Sequence, residues 1–119
     1  MSKVELGGWG EARASDFLRA RGYNIIEINY RTRYGEIDII AEKDGFTVFI
    51  EVKLRKDASF AKAYEAVTHA KQAKITKAAL YWMAKNGEVK LRFDVIEIYA
   101  PYGDKSTLLE INHIVNAFQ

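Results

Sequence analysis

One stretch constrains the fold more than any other. Residues 35–55 read GEIDIIAEKDGFTVFIEVKLR. Asp44 and Gly45 at its centre favour a type I′ turn, because that turn requires positive φ at both central residues. The flanking residues carry Ile, Val and Phe on both alternating faces, which is typical of strands covered on both sides. The stretch therefore predicts an interior β-hairpin.

A two-residue turn also fixes the register of the hairpin. Lys43 then faces Phe46. Counting outward from that pair places Asp38 directly opposite Glu51. Like charges on opposed residues destabilise a sheet, because their Cβ atoms lie only about 4.5–5.5 Å apart. A divalent cation between the two carboxylates would offset this repulsion, so the hairpin predicts a metal site.

Residue alternation leaves a second interpretation of these charges open. Glu51 and Lys53 share one face of the second strand. That face could be a solvated charge row in which Lys53 pairs with Glu36 on the neighbouring strand. The apolar neighbours Phe49 and Ile40 favour a buried site over the charge row.

Composition limits the class of protein. A chain of 119 residues, nearly half of them hydrophobic and with no low-complexity run, indicates a single domain spanning residues 1–119. The absence of cysteine excludes disulfides, thiolate zinc sites and cysteine nucleophiles. No apolar run approaches the roughly 20 residues of a membrane span, and the N-terminus lacks the apolar core of a signal peptide. We expect a soluble cytoplasmic protein without a membrane partner.

Charge alone does not identify a nucleic-acid partner, since the net charge is only +2. The basic residues are clustered, however, and would form a rim around the predicted acids. This rim consists of Arg31, Arg33, Arg55, Lys56 and Lys71. Lys71, Lys74 and Lys77 share a helix face that is either solvated or in contact with phosphate.

The first helix is predicted from about residue 3 to residue 21, with Gly22 ending it. Glu11 falls on the apolar stripe of this helix, and burying a carboxylate costs several kcal/mol unless it is paired. The alternative is that Glu11 lies at the edge of the stripe and pairs with Arg13 or Arg31. The stripe itself comprises Val4, Ala14 and Leu18.

The second helix begins after Thr68, a favourable N-cap, and runs to about Asn86, with Gly87 beyond its end. Gln72 continues its apolar stripe toward the N-terminus, so its amide points either toward the core or to the surface. The stripe comprises Ile75, Ala79, Trp82 and Met83.

The remaining segments complete the predicted order. Residues 23–30 form a strand before the hairpin, residues 56–59 a loop, and residues 60–67 either a helical turn or an extended arm over the site. Residues 88–100 read as a central strand, and residues 108–118 as a short strand with a terminal turn. The order αβββαβ plus a short C-terminal strand predicts an α/β fold, a mixed β-sheet flanked by helices.

Two polar residues late in the chain are not predicted to be functional. Asp94 is interpreted as a structural partner of Arg92 or as a helix residue. His113 has no acidic companion that the pattern places beside it, so it stays unassigned.

The chain resembles a known family through five short motifs that span most of its length. They are Gly10-Glu11-x-x-Ala14, Asn29-x-Arg31, GEID at 35–38, FIEVKLR at 49–55 and RFDV at 92–95. These motifs are similar to those of the YraN-like family of small bacterial proteins. The order of Asp38 and Glu51-x-Lys53 also resembles the PD-(D/E)xK nuclease superfamily, with its restriction-endonuclease-like fold and its archaeal Holliday junction resolvases. The proline of the superfamily's name is absent, a departure that the superfamily tolerates.

The resemblance implies a site for Mg²⁺ or Mn²⁺. Asp38, Glu51 and the Val52 carbonyl would hold the ion, and Glu11 matches the helix glutamate that resolvases add. Lys53 would orient the attacking water and offset charge at the scissile phosphate. Gln72 and Arg31 would support the site.

The resemblance further implies an endonuclease that hydrolyses DNA, including branched or junction DNA. Symmetric cutting of a junction needs two sites, so a homodimer follows by analogy with resolvases. RNA stays open as a substrate. The alternatives are a non-catalytic nucleic-acid-binding module and a repair or recombination adaptor that binds a partner through Trp9 and Tyr30.

Overall fold

The computed structural model describes residues 2–56, 67–107 and 109–119. Its elements follow the predicted order: α1 (Lys3–Ala20), β1 (Asn24–Thr32), β2 (Gly35–Lys43), β3 (Phe46–Arg55), α2 (His69–Asn86), β4 (Lys90–Tyr99), a 3₁₀ turn (Gly103–Lys105) and β5 (Glu110–Phe118). The last strand spans nine residues and is neither short nor followed by a helical turn. Most of the predicted loop at 56–59 and the ambiguous segment 60–67 lies outside the described residues.

All five strands form one sheet in the order β1-β2-β3-β4-β5. Neighbouring strands are antiparallel except β3 and β4, which run parallel from Phe46↔Lys90 to Arg55↔Tyr99. Parallel neighbours require a crossover connection, and the segment that carries α2 provides it. The predicted mixed α/β architecture is confirmed.

The turn between β2 and β3 has the predicted geometry. Asp44 and Gly45 have φ angles of 52° and 84°, both positive, as a type I′ turn requires. Lys43 pairs with Phe46 beside the turn. The local signal was sufficient to define this hairpin.

The ladder between β2 and β3 ends at Ile39↔Ile50, one rung before the predicted pairing of Asp38 with Glu51. Asp38 Oδ2 instead accepts a hydrogen bond from the Val52 backbone N–H at 2.7 Å. The Val52 N–H thus bonds to a side-chain oxygen, whereas in a regular ladder it would bond to a backbone carbonyl of the neighbouring strand. The two strands therefore stop pairing where the predicted site begins.

Both faces of the sheet are covered, as the interior hairpin predicted. The α2 side has a core formed by residues that include Ile40, Phe49, Ile75, Ala79, Trp82 and Val95. The α1 side has a core formed by residues that include Ala14, Leu18, Ile39, Val48, Ile50 and Ile96. Because the side chains of β3 alternate between these cores, the charged residues that follow Phe49 on its face point toward α2.

The N-terminal part of α1 does not pack as its apolar pattern suggested. Val4 is 80 % exposed, so its assignment to the buried stripe was wrong. The first buried residue of the helix is Gly10, where an added Cβ would lie 3.2 Å from the Leu54 side chain. This close approach of α1 to β3 positions Glu11 beside the hairpin. The buried residues of the helix are Gly10, Ala14, Ser15 and Leu18.

The bounds of α2 are as predicted, with Thr68 as N-cap and Gly87 as C-cap. Met83, predicted in its apolar stripe, is only partly buried. None of the helices in the described ranges has the length and apolar character to cross a bilayer.

The Thr68 cap makes a testable contribution to stability. Its Oγ1 accepts from the Lys71 backbone N–H at 3.2 Å, and this bond satisfies one of the donors left open at a helix N-terminus. We expect Thr68→Ala to lower the free energy of unfolding by about 1 kcal/mol in urea titrations. Thr68→Ser keeps the acceptor and serves as the control, so an equal loss in both variants would contradict a capping role.

Candidate functional site

A pocket of about 220 Å³ lies where the two helices meet the open end of the β2–β3 hairpin. Four carboxylates and two lysines line it, together with small and apolar residues. The lining comprises Gly7, Glu11, Glu36, Asp38, Glu51, Val52, Lys53, Leu54 and Lys71. The fold thus brings the predicted metal ligands and the predicted catalytic lysine into one place.

Asp38 is the most perturbed acid of the pocket. Burial raises the pKa of its carboxyl group from the ordinary 3.8 to about 7, and the charge of Glu51 acts in the same direction. The hydrogen bond from the Val52 N–H and the charge of Lys71 oppose this rise. Burial therefore makes ionisation of Asp38 costly in the folded protein.

Glu11 faces Asp38 across the junction between α1 and β2, in the same pocket. Burial, followed by the charge of Glu36, raises the pKa of Glu11, whereas Arg31 and the nearby Asp38 lower it. The charge of Glu11 in turn raises the pKa of Asp38. The two carboxyl groups therefore affect each other's ionisation.

The alternative partners of Glu11 behave differently from each other. Arg13 forms a surface ion pair with Asp16 at 3.3 Å and is not available to Glu11. Arg31 Nε lies 3.4 Å from Glu36 Oε2, at the rim of the pocket, and acts on Glu11 through its charge. Glu11 is only partly buried, so it lies at the edge of the core and within the influence of Arg31.

Glu51 is nearly buried, with 5 % exposure, and is compensated by two lysines. Its Oε1 lies 3.6 Å from Lys53 Nζ and 3.5 Å from Lys71 Nζ. Lys53 therefore pairs with the acid on its own strand, not with Glu36 as in a solvated charge row. Glu51 and Lys53 together form a charged centre enclosed by the two helices.

Gln72 was predicted to support the site and Lys71 to lie at its rim, but it is Lys71 that lines the pocket. The Gln72 amide donates to the Val67 carbonyl at 2.9 Å, and Gln72 is not among the described residues that line the pocket. Lys71, predicted only as a rim residue, reaches the acids directly. The sequence does contain a signal for this position. Lys71 lies four residues before the buried Ile75, and residues four apart lie on the same face of a helix.

The predicted basic rim is only partly assembled. Arg31, Lys71 and Lys74 line a second pocket of about 310 Å³ that adjoins the first. Arg33 lies over the ring of its neighbour Tyr34, and Lys56 is exposed at the end of β3. Arg55 Nε is 2.9 Å from the fully buried Glu97 Oε2. The structure groups Arg31 and Lys71 with the acids and leaves their role in binding nucleic acid a prediction.

A separate buried carboxylate, Asp94, has a structural environment. It accepts from Arg92 Nε at 2.9 Å and Arg92 Nη2 at 2.8 Å, which confirms the predicted partnership. It also binds His113 Nε2 at 2.7 Å and the Asn116 N–H at 2.9 Å. The expectation that His113 lacks an acidic companion was wrong, because β4 and β5 pair with a register shift that local sequence does not reveal.

The donor set of the pocket fits a hard divalent cation in its chemistry. Carboxylate oxygens are the ligands that Mg²⁺ and Mn²⁺ prefer, and clustered acids gain from a cation between them. Within residues 2–56, 67–107 and 109–119, no three acidic or histidine side chains stand in a preformed metal-binding arrangement. Asp38 and Glu51 are bonded to Val52 and the lysines instead. An ion held by these carboxylates would lie close to the ammonium groups of both lysines.

Comparison with known proteins identifies close relatives of the chain. The model of the uncharacterised protein family UPF0102 matches residues 10–98. A UPF0102 protein of Thermodesulfovibrio yellowstonii is 46% identical over 119 residues and covers 99% of both chains. Those of Syntrophomonas wolfei and Clostridioides difficile are each 43% identical, over 116 and 122 residues, and cover at least 96% of each chain.

Proposed function

This chain belongs to the uncharacterised protein family UPF0102, and we propose that it is a metal-dependent endonuclease that hydrolyses phosphodiester bonds in DNA. One observation carries the proposal: Glu11, Asp38 and Glu51 converge with Lys53 and Lys71 in a single pocket. Acids that repel one another and have a raised pKa are costly to a fold, so their convergence favours a site for a cation over a structural role.

We also propose that the chain belongs to the PD-(D/E)xK superfamily. The support is the placement of the signature residues on the observed fold. Asp38 lies at the open end of β2, while Glu51 and Lys53 share one face of β3 beside it. Glu11 reaches them from α1. The resemblance rests on the order and positions of these residues.

Asp38, Glu51 and Glu11 would hold the ion, with the neighbouring Val52 lining the same pocket. Bound Mg²⁺ or Mn²⁺ would supply Lewis-acid stabilisation of the phosphate and lower the pKa of a coordinated water. The residues of the chain complete the chemistry. Lys53 stays beside Glu51, where its ammonium can orient a water and offset charge on the phosphate.

A nucleic-acid backbone would approach from the neighbouring basic pocket. Arg31, Lys71 and Lys74 there face solvent next to the acids, and phosphate groups bind such cations by displacing counterions. DNA is the preferred substrate in this proposal because the signature residues resemble those of DNA nucleases. Cutting of four-way DNA at two symmetric positions would further require two copies of the chain.

The test is cleavage by purified Glu51→Gln protein. We expect Mg²⁺- or Mn²⁺-dependent cleavage of a panel of linear, nicked, flap and four-way DNA to fall roughly 100-fold or more, since a metal ligand contributes several kcal/mol to the transition state. Glu88→Gln, a change of the same type at an exposed distant residue, should keep the activity. Undiminished cleavage by Glu51→Gln would refute the proposal.

A second function is favoured by the present contacts of the acids. Because protein groups already satisfy Glu51 and Asp38, the pocket could act as part of a non-catalytic nucleic-acid-binding module. The same preparation distinguishes the two functions. Salt-sensitive binding to the panel without cleavage by the wild-type protein would establish the binding module instead.

A further inference from the structure

Lys71 connects the two pockets of the site. It lines the acidic pocket, where its Nζ lies 3.5 Å from Glu51 Oε1. It also lines the adjoining basic pocket with Arg31 and Lys74. Its side chain is 37 % exposed, so the ammonium group lies at the boundary between a buried acid and solvent.

The two lysines that contact Glu51 are held differently. Lys53 lies two residues from Glu51 on the same strand and face, so the backbone keeps it beside the acid. Lys71 extends from the first turn of α2 and reaches Glu51 only through its flexible four-carbon side chain. Rotation about the bonds of that side chain can move the ammonium group while the helix stays in place.

We propose that Lys71 is an exchangeable counterion that pairs with Glu51 in the metal-free protein and transfers to a nucleic-acid phosphate when a divalent cation binds. This inference rests on the proposed function and names a residue role within it. The carboxylate that Lys71 contacts is a predicted metal ligand, so a cation bound there would lie close to the ammonium group and repel it. Unit positive charges about 4 Å apart repel appreciably even where water screens them, and a divalent ion doubles the effect.

The released ammonium group of Lys71 can turn toward the adjoining basic pocket. The basic pocket next to it contains Arg31 and Lys74, whose charges attract a phosphate. Glu36 Oε2, the acid at that rim, is already paired with Arg31 at 3.4 Å. Lys71 would therefore add its charge to a phosphate-binding surface only after the metal site is filled.

This exchange couples two binding events. A cation that frees Lys71 strengthens phosphate binding, and by reciprocity a phosphate that holds Lys71 strengthens cation binding. The metal-free protein would bind nucleic acid with one contact fewer than the metal-bound protein. The site would thus assemble on DNA only when the ion is present.

The first measurement is Mn²⁺ binding in the absence of DNA, by isothermal titration calorimetry. Lys71→Met removes the competing charge and should bind Mn²⁺ about tenfold more tightly than the wild type. Lys77→Met makes the same charge change at an exposed residue of α2 outside both pockets and should change the affinity less than twofold. Equal affinities of Lys71→Met and Lys77→Met would overturn the exchange.

The second measurement is the salt dependence of DNA binding, by fluorescence anisotropy with and without Ca²⁺, a hard cation that carboxylates bind. With Ca²⁺, the slope of log affinity against log salt should be steeper by about 0.9 in the wild type than in Lys71→Met, because one more phosphate contact is present. Without a divalent ion the two slopes should coincide. A slope difference that is the same with and without Ca²⁺ would overturn the exchange and make Lys71 a permanent phosphate contact.

The two proposals fail in different ways. If neither the wild type nor the two lysine variants binds Mn²⁺, the metal-dependent function is overturned and the exchange with it. If all three bind Mn²⁺ equally, only the exchange is overturned. Thermal unfolding of each variant confirms that the comparison is made on folded protein.

Discussion

Replacing Asp94 by asparagine is expected to lower the free energy of unfolding by about 3–5 kcal/mol at neutral pH. The carboxylate is fully buried and accepts hydrogen bonds from Arg92, His113 and the Asn116 N–H. An asparagine would keep the shape, remove the charge and turn an NH₂ group toward these donors. Breaking a buried pair from one side is costly because the partner charge stays buried without compensation.

The pH dependence of this loss has a definite sign. Burial alone would raise the pKa of Asp94, but the hydrogen bonds from His113 and Arg92 outweigh it and hold the pKa below its ordinary value. A depressed pKa stabilises the folded state above the unfolded pKa, near 4, and this stabilisation disappears as the pH falls through the folded pKa. The difference in free energy of unfolding between wild type and Asp94→Asn should therefore be largest near pH 7 and become smaller below about pH 4.

The matched control is Asp16→Asn, which breaks an exposed network on α1. Asp16 pairs with Arg13 at 3.3 Å and Arg19 at 3.6 Å, but all three side chains are well exposed. We expect a change of about 0–1 kcal/mol in urea unfolding at pH 7. Similar losses from the two substitutions would show that burial does not set the contribution of Asp94.

Asp38→Asn should have the opposite effect and stabilise the metal-free protein by roughly 2–4 kcal/mol at pH 8. Burial and the charge of Glu51 raise the pKa of Asp38 to about 7, so ionising it costs the folded state free energy. Asparagine resembles the protonated acid and can still accept from the Val52 N–H. The substitution removes a potential charge from a pocket that is already acidic.

The sign again follows from the direction of the shift. A raised pKa means that the stabilisation is fully present below the unfolded pKa, near 4, and is lost as the pH rises through the folded value of about 7. In EDTA, wild type and Asp38→Asn should thus have similar free energies of unfolding near pH 4. The two values should differ increasingly as the pH rises to 8. Asp104→Asn, at an exposed residue, should show no such divergence. An Asp38→Asn protein less stable than wild type at pH 8 would contradict this account.

The two aspartates have opposite expected effects on stability, and only Asp38 belongs to the proposed site. Asp94 is surrounded by donors, and its removal should damage the fold. Asp38 is surrounded by other acids, and its removal should strengthen the fold while, under the proposed function, abolishing metal-dependent cleavage. A residue that weakens its own fold needs another reason to be present, and cation binding supplies one.

Elements defined by local rules were predictable from the sequence. The Asp44-Gly45 turn fixed β2 and β3 because its two positive φ angles specify one hairpin type. Thr68 and Gly87 bounded α2 because capping chemistry acts within a few residues. The hairpin register also predicted that Asp38 lies near Glu51, although the ladder ends before they pair, because Asp38 accepts from the Val52 N–H, a contact that strand alternation does not indicate.

Features that depend on contacts between distant segments were not predictable. The place of Lys71 depends on how α2 lies against the sheet. The His113–Asp94 bond depends on the irregular pairing of β5 with β4. In each case the deciding interaction joins elements whose relative position only the folded chain sets.

The attachment of β5 to Asp94 has a consequence for how the chain folds. Two of the donors to Asp94, the His113 side chain and the Asn116 N–H, come from β5, which follows every element that lines the candidate site. A nascent chain that ends before β5 already contains every residue of the candidate site but lacks these two donors. The interior strand β4 would then carry a buried charge from which two hydrogen-bond donors are missing. Stable folding of the site should therefore require β5, a segment that contributes no residue to the pocket.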